Sequence, residues 1–410
     1  MKRLLLVGGG HAQLAVLHAL ARQRPRGVET VLLTPSPWQW YSGMLPGWMA
    51  GHYRAEDCRI DLRPLAAAAG ARLCLAAAVA LDADRRSLHD DAGATHDFDL
   101  LSLDVGSLTD TRALDALPAG VLLPVKPLEA FFAAWPQRLA AARAGELRRL
   151  AVVGGGAAGV ELVLAAAQAF RSAGCTVALA LVAPPGALLA GHAEGVRRRV
   201  ERQLAQAGIA LHRARARGST AGLELVDAEG RTVSTLAADC VIAATGARAL
   251  PWLQGSGLAC DAAGWVAVDA AHRSLSHPAV HAAGDVCTRA APGFARSGVH
   301  AVHAGPVLAA NLLAALADGT ACAPMADARA DAMANAQPDT SAARTTRPIP
   351  APPQRYQPRA RSLYLIACGP RHAIASWGPW SAEGRWVWHW KDRIDRGFIA
   401  RHRGASATVV

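Results

Sequence analysis

Residues 150–169 read LAVVGGGAAGVELVLAAAQA, and this stretch constrains the fold more than any other in the 410-residue chain. Leu150–Val153 is an apolar run of a length suited to one buried strand. Gly154, Gly155 and Gly156 interrupt it, and from Gly159 an Ala/Leu-rich helix resumes. Gly154, Gly156 and Gly159 satisfy G-x-G-x-x-G, the strand–turn–helix in which backbone approaches a pyrophosphate seated at a helix N-terminus. Glycine doublets are common in an Ala/Gly-rich chain, so the turn gains its weight from a second one. Leu4–Val7 predicts a strand, Gly8–Gly10 a turn, His11–Arg22 a helix with Leu14, Leu17 and Leu20 on one side, and Val28–Leu33 the next strand. This N-terminal βαβ unit departs from the fingerprint twice. Gln13 occupies the third glycine position, and the second strand carries Glu29 at its start but Thr34 at its end, where an acid is expected. A threonine hydroxyl is a weaker ribose partner than a carboxylate.

Between these units, residues 35–53 (PSPWQWYSGMLPGWMAGHY) are dense in rings and turn formers, as in an ordered loop against a flat ligand or an ordinary hydrophobic loop. Ala71–Asp82 and Ser87–His96 predict short β segments, and Phe98–Ser107 a strand ending in Gly106. Val121–Trp135 reads as a connector holding Lys126, and Arg138–Leu147 as a helix. Thr176–Val182 predicts a strand, Gly195–Gly208 an Arg-rich helix, Leu223–Val233 a hairpin and Asp239–Gly246 a buried strand. Short strands follow at Gly264–Val268 and Val280–Ala283, then a helix over Gly298–Leu316. Residues 324–358 lose all periodicity and read as a flexible Pro/Ala/Arg-rich linker. Ser362–Cys368 and Ala373–Trp377 predict strands. Trp386, Trp388 and Trp390 alternate as in a further strand, whose rings are expected in the core of a small C-terminal unit, ahead of a short helix with Ile394 and Phe398.

The net charge of +11 invites nucleic acid, but lysine occurs only at Lys2, Lys126 and Lys391, and the arginines are scattered through an Ala-rich text. The charge is read as compositional bias, and no nucleic-acid partner is expected. The eight cysteines (Cys58, Cys74, Cys175, Cys240, Cys260, Cys287, Cys322 and Cys368) form no C-x-x-C pair and no metal-ligand spacing. They read as buried thiols of a reducing compartment, with no metal site. The N-terminal apolar run is too short for a signal peptide, and no window of about 18 uninterrupted apolar residues predicts a membrane span. A cytoplasmic location is therefore expected.

Together, the motifs GGGHA (Gly8–Ala12), YSGMLPG (Tyr41–Gly47), VKP (Val125–Pro127), VVGGGAAGVE (Val152–Glu161), ATG (Ala244–Gly246), AAGDV (Ala282–Val286), GVHAVHAGPVLAANLL (Gly298–Leu313) and WKDRIDRGF (Trp390–Phe398) resemble the two-dinucleotide flavoprotein reductases. Within them, the wording is similar to the type II NADH dehydrogenase-like branch and its subgroup associated with selenide, water dikinase. The resemblance implies an α/β, glutathione-reductase-like fold with two Rossmann-like βαβ units. The NAD(P)H-binding unit (119–250) would interrupt an FAD-binding unit (1–118 and 251–323), ahead of the linker and a C-terminal α+β unit (359–410).

It also implies an FAD-dependent NAD(P)H oxidoreductase with NADH or NADPH as substrate. Gly8, Gly9, Gly10, His11 and Ala12 would hold the FAD pyrophosphate, with Thr34 towards the ribose. Tyr41, Ser42 and Pro46 would flank the isoalloxazine. Gly106, Lys126, Gly284 and Asp285 would approach the cofactor, and the helix starting at Gly298 and Val299 would point its positive end at the flavin. Gly154, Gly156, Ala157 and Gly159 would hold NAD(P)H, with Thr245 and Gly246 as further cofactor contacts and Glu161 facing the nicotinamide carboxamide. The residues themselves leave Asp285 open as a turn aspartate and Glu161 as an ordinary first-turn acid. Two departures bear on the acceptor. No cysteine pair offers a dithiol relay, and Val299 and His303 stand where quinone-reducing relatives carry glutamines. His303 is a candidate proton donor or a plain helix histidine. The acceptor is expected to be a small molecule or a protein, selenide, water dikinase being one candidate partner; the alternatives are a flavin-binding partner or redox sensor of selenium metabolism with little turnover, and a membrane-surface quinone reductase, peripheral membrane contact being less favoured.

Overall fold

The computed structural model describes residues 1–291, 293–294, 296, 298–318, 352–359 and 361–403. Two five-stranded parallel sheets carry most of the chain. The first runs in the order Val280–Ala282, Leu100–Leu103, Lys2–Val7, Val28–Thr34, Ala71–Leu75. The second runs Leu122–Pro124, Cys240–Ala243, Arg149–Val153, Ala178–Ala183, Ala210–Arg213. The inner strands, such as Leu100–Leu103 and Cys240–Ala243, are covered on both faces and read as near-continuous apolar runs, as parallel sheets require. The strand Val280–Ala282 completes the first sheet only after the chain has built the second. The α/β, doubly Rossmann-like architecture expected from the glycine turns is the one observed.

In both units the strand–turn–helix is set by close backbone approach. Gly8 has φ +87°, and a Cβ there would lie 2.3 Å from the Asp104 carbonyl oxygen. In the second unit a Cβ on Gly159 would lie 1.9 Å from the Gly154 carbonyl oxygen, so the helix Ala157–Ser172 seats on its strand only with glycine there. The first unit solves the same contact differently. Gln13 is fully buried, and its amide group both donates to the Ser102 carbonyl (3.2 Å) and accepts from the Ser102 hydroxyl (2.9 Å). A paired amide therefore replaces the missing glycine, and no buried polar atom of that side chain is left unpaired. The helix His11–Gln23 packs instead against Gly298–Asp318, where a Cβ on Gly305 would lie 2.8 Å from the Ala15 Cβ. Gly298–Ala317 is long and apolar enough to cross a membrane by length and composition, although His300, His303 and Asn311 interrupt its apolar run. Its Ala304, Leu308 and Leu312 are nevertheless part of the hydrophobic core.

Several expectations fail. The connector over 121–135 is strand Leu122–Pro124 followed by helix Leu128–Arg143, which begins ten residues before the helix read from Arg138. Pro136 lies inside that helix and hid its continuity, whereas Phe131, Phe132 and Trp135 bury its core side. The tryptophan alternation belongs to a helix, Arg385–Arg403, and not to a strand. Val387, Trp388, Lys391, Asp395, Phe398 and Ile399 form its buried face at spacings of three and four. Trp386 and Trp390 leave that face, 55% and 38% exposed, so they are not core residues. The preceding strand, Trp380–Gly384, completes a three-stranded antiparallel sheet with Tyr364–Ala367 and Ala373–Trp377. Of the proposed linker, 324–351 lies outside the described residues, as does Cys322. Its end is packed: Tyr356 is buried and its hydroxyl meets His300 Nδ1 at 2.8 Å.

Candidate functional site

Parallel βαβ units place ligands beyond the carboxyl ends of their strands, and in the first sheet those ends open into a groove. Its wall includes Gly8–His11, Thr34, Ser36, Trp38–Trp40, Ser42, Asp104–Ser107, Lys126–Glu129, Asp285, Gly298 and Ala301. Gly10 cannot carry a side chain, because a Cβ would fall 2.2 Å from the Asp104 carboxyl carbon. That carboxyl accepts from Gln13 N at 2.9 Å, inside the first helical turn. Burial pushes the Asp104 pKa up to about 7 against these hydrogen bonds, with Asp285 adding to the rise. Sequence alone does not point to Asp104. Its signal was an acid immediately after an apolar strand, two residues before Gly106.

Asp285 and Lys126 form an ion pair at 2.5 Å, and Lys126 also donates to Ser107 Oγ at 2.9 Å. A cation is thus fixed at the glycine-turn end of the groove. Gly284 (φ +74°) gives Asp104 room, since a Cβ there would lie 2.5 Å from its Oδ1. Helix Gly298–Asp318 presents its first residues to the same wall. His11 is stacked on Phe398 at 5.4 Å, burial holds its pKa down to about 4, and its Nε2 is buried without a partner. These features suit a dinucleotide: bare backbone for a pyrophosphate, a fixed cation, a helix N-terminus and an unpaired imidazole nitrogen. Thr34, by contrast, is buried and its hydroxyl donates to Ser36 O at 3.3 Å.

Other predicted residues lie elsewhere. Ser42 reaches the groove, but Tyr41 and Pro46 do not. Tyr41 stacks on Phe398 (4.6 Å between centroids) and donates to Asp395 at 3.1 Å. Trp40 and Trp48 pack on Phe132 at 4.1 and 4.2 Å. Val299 is exposed, and His303 is half-buried on the same helix; neither lines the groove. Burial, with Arg359 nearby, holds the His303 pKa down.

The second glycine turn stands at the end of the second sheet. Gly154 has φ +133°, with the Ala244 carbonyl 2.1 Å from where its Cβ would be, which brings Ala244–Gly246 against the turn. A methyl on Gly156 would meet nothing within 4 Å, so the turn's outer face is open, and Ala157 starts the helix behind it. Thr245 donates to Asp110 O, and Gly246 adopts φ +118°. Glu161, on that helix, accepts from Ala367 N of the C-terminal sheet at 2.8 Å. Burial lifts its pKa to about 7 in spite of the Lys391 charge. Three arginines of the helix Glu194–Gln206, where a nucleotide 2′-phosphate could be met, are engaged: Arg197 with His192 O (2.5 Å), Arg199 with Glu383 (2.8 Å) and Arg198 with Glu194 (3.6 Å).

Among the described residues the cysteines are free thiols, and burial raises the pKa of several, Cys287 and Cys368 among them.

Solved structures of similar fold include the sulfide:quinone oxidoreductase of Aquifex aeolicus (TM-score 0.75, 14% identity, covering 100% of this chain and 93% of that one). NDH2 of Plasmodium falciparum, solved with NADH, matches at TM-score 0.75 and 11% identity over 99% of both chains. The water-forming NADH oxidase of Lactobacillus brevis, also with NADH, matches at TM-score 0.67 and 16% identity over 92% of this chain and 75% of that one. At such identities the likeness is one of fold. No curated protein matches the sequence. The profile of the pyridine nucleotide-disulphide oxidoreductase family, however, matches residues 2–305. With its two glycine turns on two parallel sheets, the chain belongs to the pyridine nucleotide-disulphide oxidoreductase family and is an FAD-dependent NAD(P)H oxidoreductase.

Proposed function

We propose that this protein oxidises NADH or NADPH at the second glycine turn and holds FAD in the groove of the first sheet. We further propose that it delivers the electrons to an external small-molecule or protein acceptor. The observation that carries the reading is the pair of glycine turns, each at the carboxyl end of its own five-stranded parallel sheet. Bound in the groove, FAD would supply the hydride acceptor and the outlet for electrons. The chain's part is positioning and electrostatics. Gly8–His11 and Lys126 would receive the pyrophosphate, Asp285 would fix Lys126, and the N-terminus of helix Gly298–Asp318 would favour negative charge on the cofactor ring. Gly154, Gly156 and Ala157 would receive the nicotinamide nucleotide.

We place the chain in the type II NADH dehydrogenase-like branch, in the subgroup associated with selenide, water dikinase, whose members supply one candidate protein partner. The support is the motif set GGGHA, YSGMLPG and WKDRIDRGF. Reduction without a protein dithiol fits the single free thiols. The test is anaerobic addition of NADH or NADPH to the purified yellow protein. Rapid bleaching is expected; a bound flavin that neither nucleotide reduces would overturn the reading.

A second reading, quinone reduction at a membrane surface, is favoured by the exposed Trp377, Trp380, Trp386, Trp390 and Ile394 of the C-terminal unit. Flotation with anionic phospholipid vesicles tests it, and a protein that stays wholly in the aqueous fraction would end it.

A further inference from the structure

We infer that Glu129, on helix Leu128–Arg143, supplies the carboxylate for the adenosine ribose of FAD that the second strand of the first sheet lacks. The inference rests on the proposed FAD site. In a dinucleotide-binding βαβ unit an acid at the end of that strand accepts hydrogen bonds from the ribose hydroxyls. Here the strand Val28–Thr34 ends in a threonine whose buried hydroxyl is already spent on Ser36 O.

The acids in the groove wall are Asp104, Asp285 and Glu129. Asp104 is committed to Gln13 N at the glycine turn, and Asp285 to Lys126. Glu129 stands in the groove wall just beyond the end of the strand Val28–Thr34, where Ser36 Oγ donates to its Oε1 at 3.0 Å. Ser36 Oγ also accepts from Trp38 N at 3.2 Å, so the hydroxyl is held between strand end and helix and orients the carboxylate. A carboxylate has about four acceptor positions, and Ser36 takes one of them. Glu129 is itself exposed in the groove, so accepting from a ribose needs no buried charge to be uncovered. The required acid therefore arrives from a helix on the far side of Lys126 and Pro127, and a single ligand would bridge the strand end and that helix.

The test uses full-length apo-protein titrated with FAD and with an FAD analogue whose adenosine ribose lacks both hydroxyls, followed by flavin fluorescence. Loss of one charge-assisted hydrogen bond corresponds to about a tenfold change in affinity or more. Glu129→Ala is expected to weaken FAD by that factor, and Glu129→Gln by less. The analogue should bind wild type about as weakly as FAD binds Glu129→Ala, with the substitution adding no further loss. Thermal unfolding of the apo-variants guards against a folding defect. An FAD affinity unchanged in Glu129→Ala, or an equal loss for FAD and analogue, would overturn the inference while leaving the FAD site standing. A folded wild-type protein that takes up no FAD would remove both.

Discussion

Lys391 and Asp395, one turn apart on the C-terminal helix, are both buried and stand 2.6 Å from each other. Lys391 also donates to Gly43 O at 2.6 Å, and Asp395 accepts from Tyr41 at 3.1 Å. The pair therefore pins the end of the chain to the Tyr41–Gly43 segment beside the groove. Asp395 and Glu161 hold the Lys391 pKa above its ordinary value although burial opposes this, so the ammonium stays charged. Removing one partner leaves a buried charge unpaired. Lys391→Met is expected to cost about 3–5 kcal/mol in denaturant unfolding, with Lys391→Met/Asp395→Leu costing less than the single change. A double variant as unstable as the single one would count against this account.

Asp104 makes stability depend on pH in an unusual direction. Its folded pKa, pushed up to about 7 by burial, lies above the ordinary aspartate value, so between the two the folded state binds more protons than the unfolded one. Stability from this group is therefore lost as pH rises through that window, and Glu161, also raised to about 7, acts in the same sense. The contribution of these two acids to the melting temperature of the apo-protein is expected to fall between roughly pH 4 and pH 7, against the opposite trend of buried histidines such as His11 and His272, whose pKa values are held down to about 4. Asp104→Asn, whose amide oxygen still accepts from Gln13 N, should flatten part of that slope. An unchanged slope would refute the assignment.

Much of this is legible in the sequence, because a glycine turn between an apolar run and a helix is a local event. Gly8–Gly10 and Gly154–Gly156 need only their neighbours. Gln13 looks like a fault because its remedy, Ser102, comes from a distant strand. Glu129 and Asp104 escape notice for the same reason: each matters only through a segment remote in sequence, Ser36 for one and Gly10 for the other. Pro136 disguises a helix, and the tryptophan alternation imitates a strand over too few residues to tell a period of two from one of 3.6.

The two motif glycines of the nucleotide unit differ in what they protect. Gly159→Ala drives a methyl into the Gly154 carbonyl, so loss of folded protein or a fall in stability of several kcal/mol is expected. Gly156→Ala has room and no left-handed φ, so the melting temperature should hold while the added methyl stands on the open face of the turn. Its expected effect is a raised KM for NAD(P)H at unchanged stability, read by steady-state kinetics beside calorimetry. A Gly156→Ala protein with a wild-type KM would mean that the nucleotide does not pass over this turn.

The C-terminal helix carries three tryptophans within five residues, and geometry separates their contributions. Trp388 is 7% exposed and meets the edge of His52 at 5.2 Å, on the face that also buries Val387 and Phe398. Trp386 and Trp390 stack on each other, 6.5 Å apart with planes 11° from parallel, and face outward. Trp388→Ala should cost about 3–5 kcal/mol, the usual loss for a buried ring. Trp386→Ala should cost under about 1 kcal/mol, since stacking is most of what it contributes to the fold. Paired denaturant titrations decide this, and equal losses at the two positions would contradict the helical assignment. If the membrane-surface reading holds, Trp386→Ala/Trp390→Ala should abolish vesicle flotation with the fold intact, because the outward pair does little for stability and presents its rings to whatever lies outside.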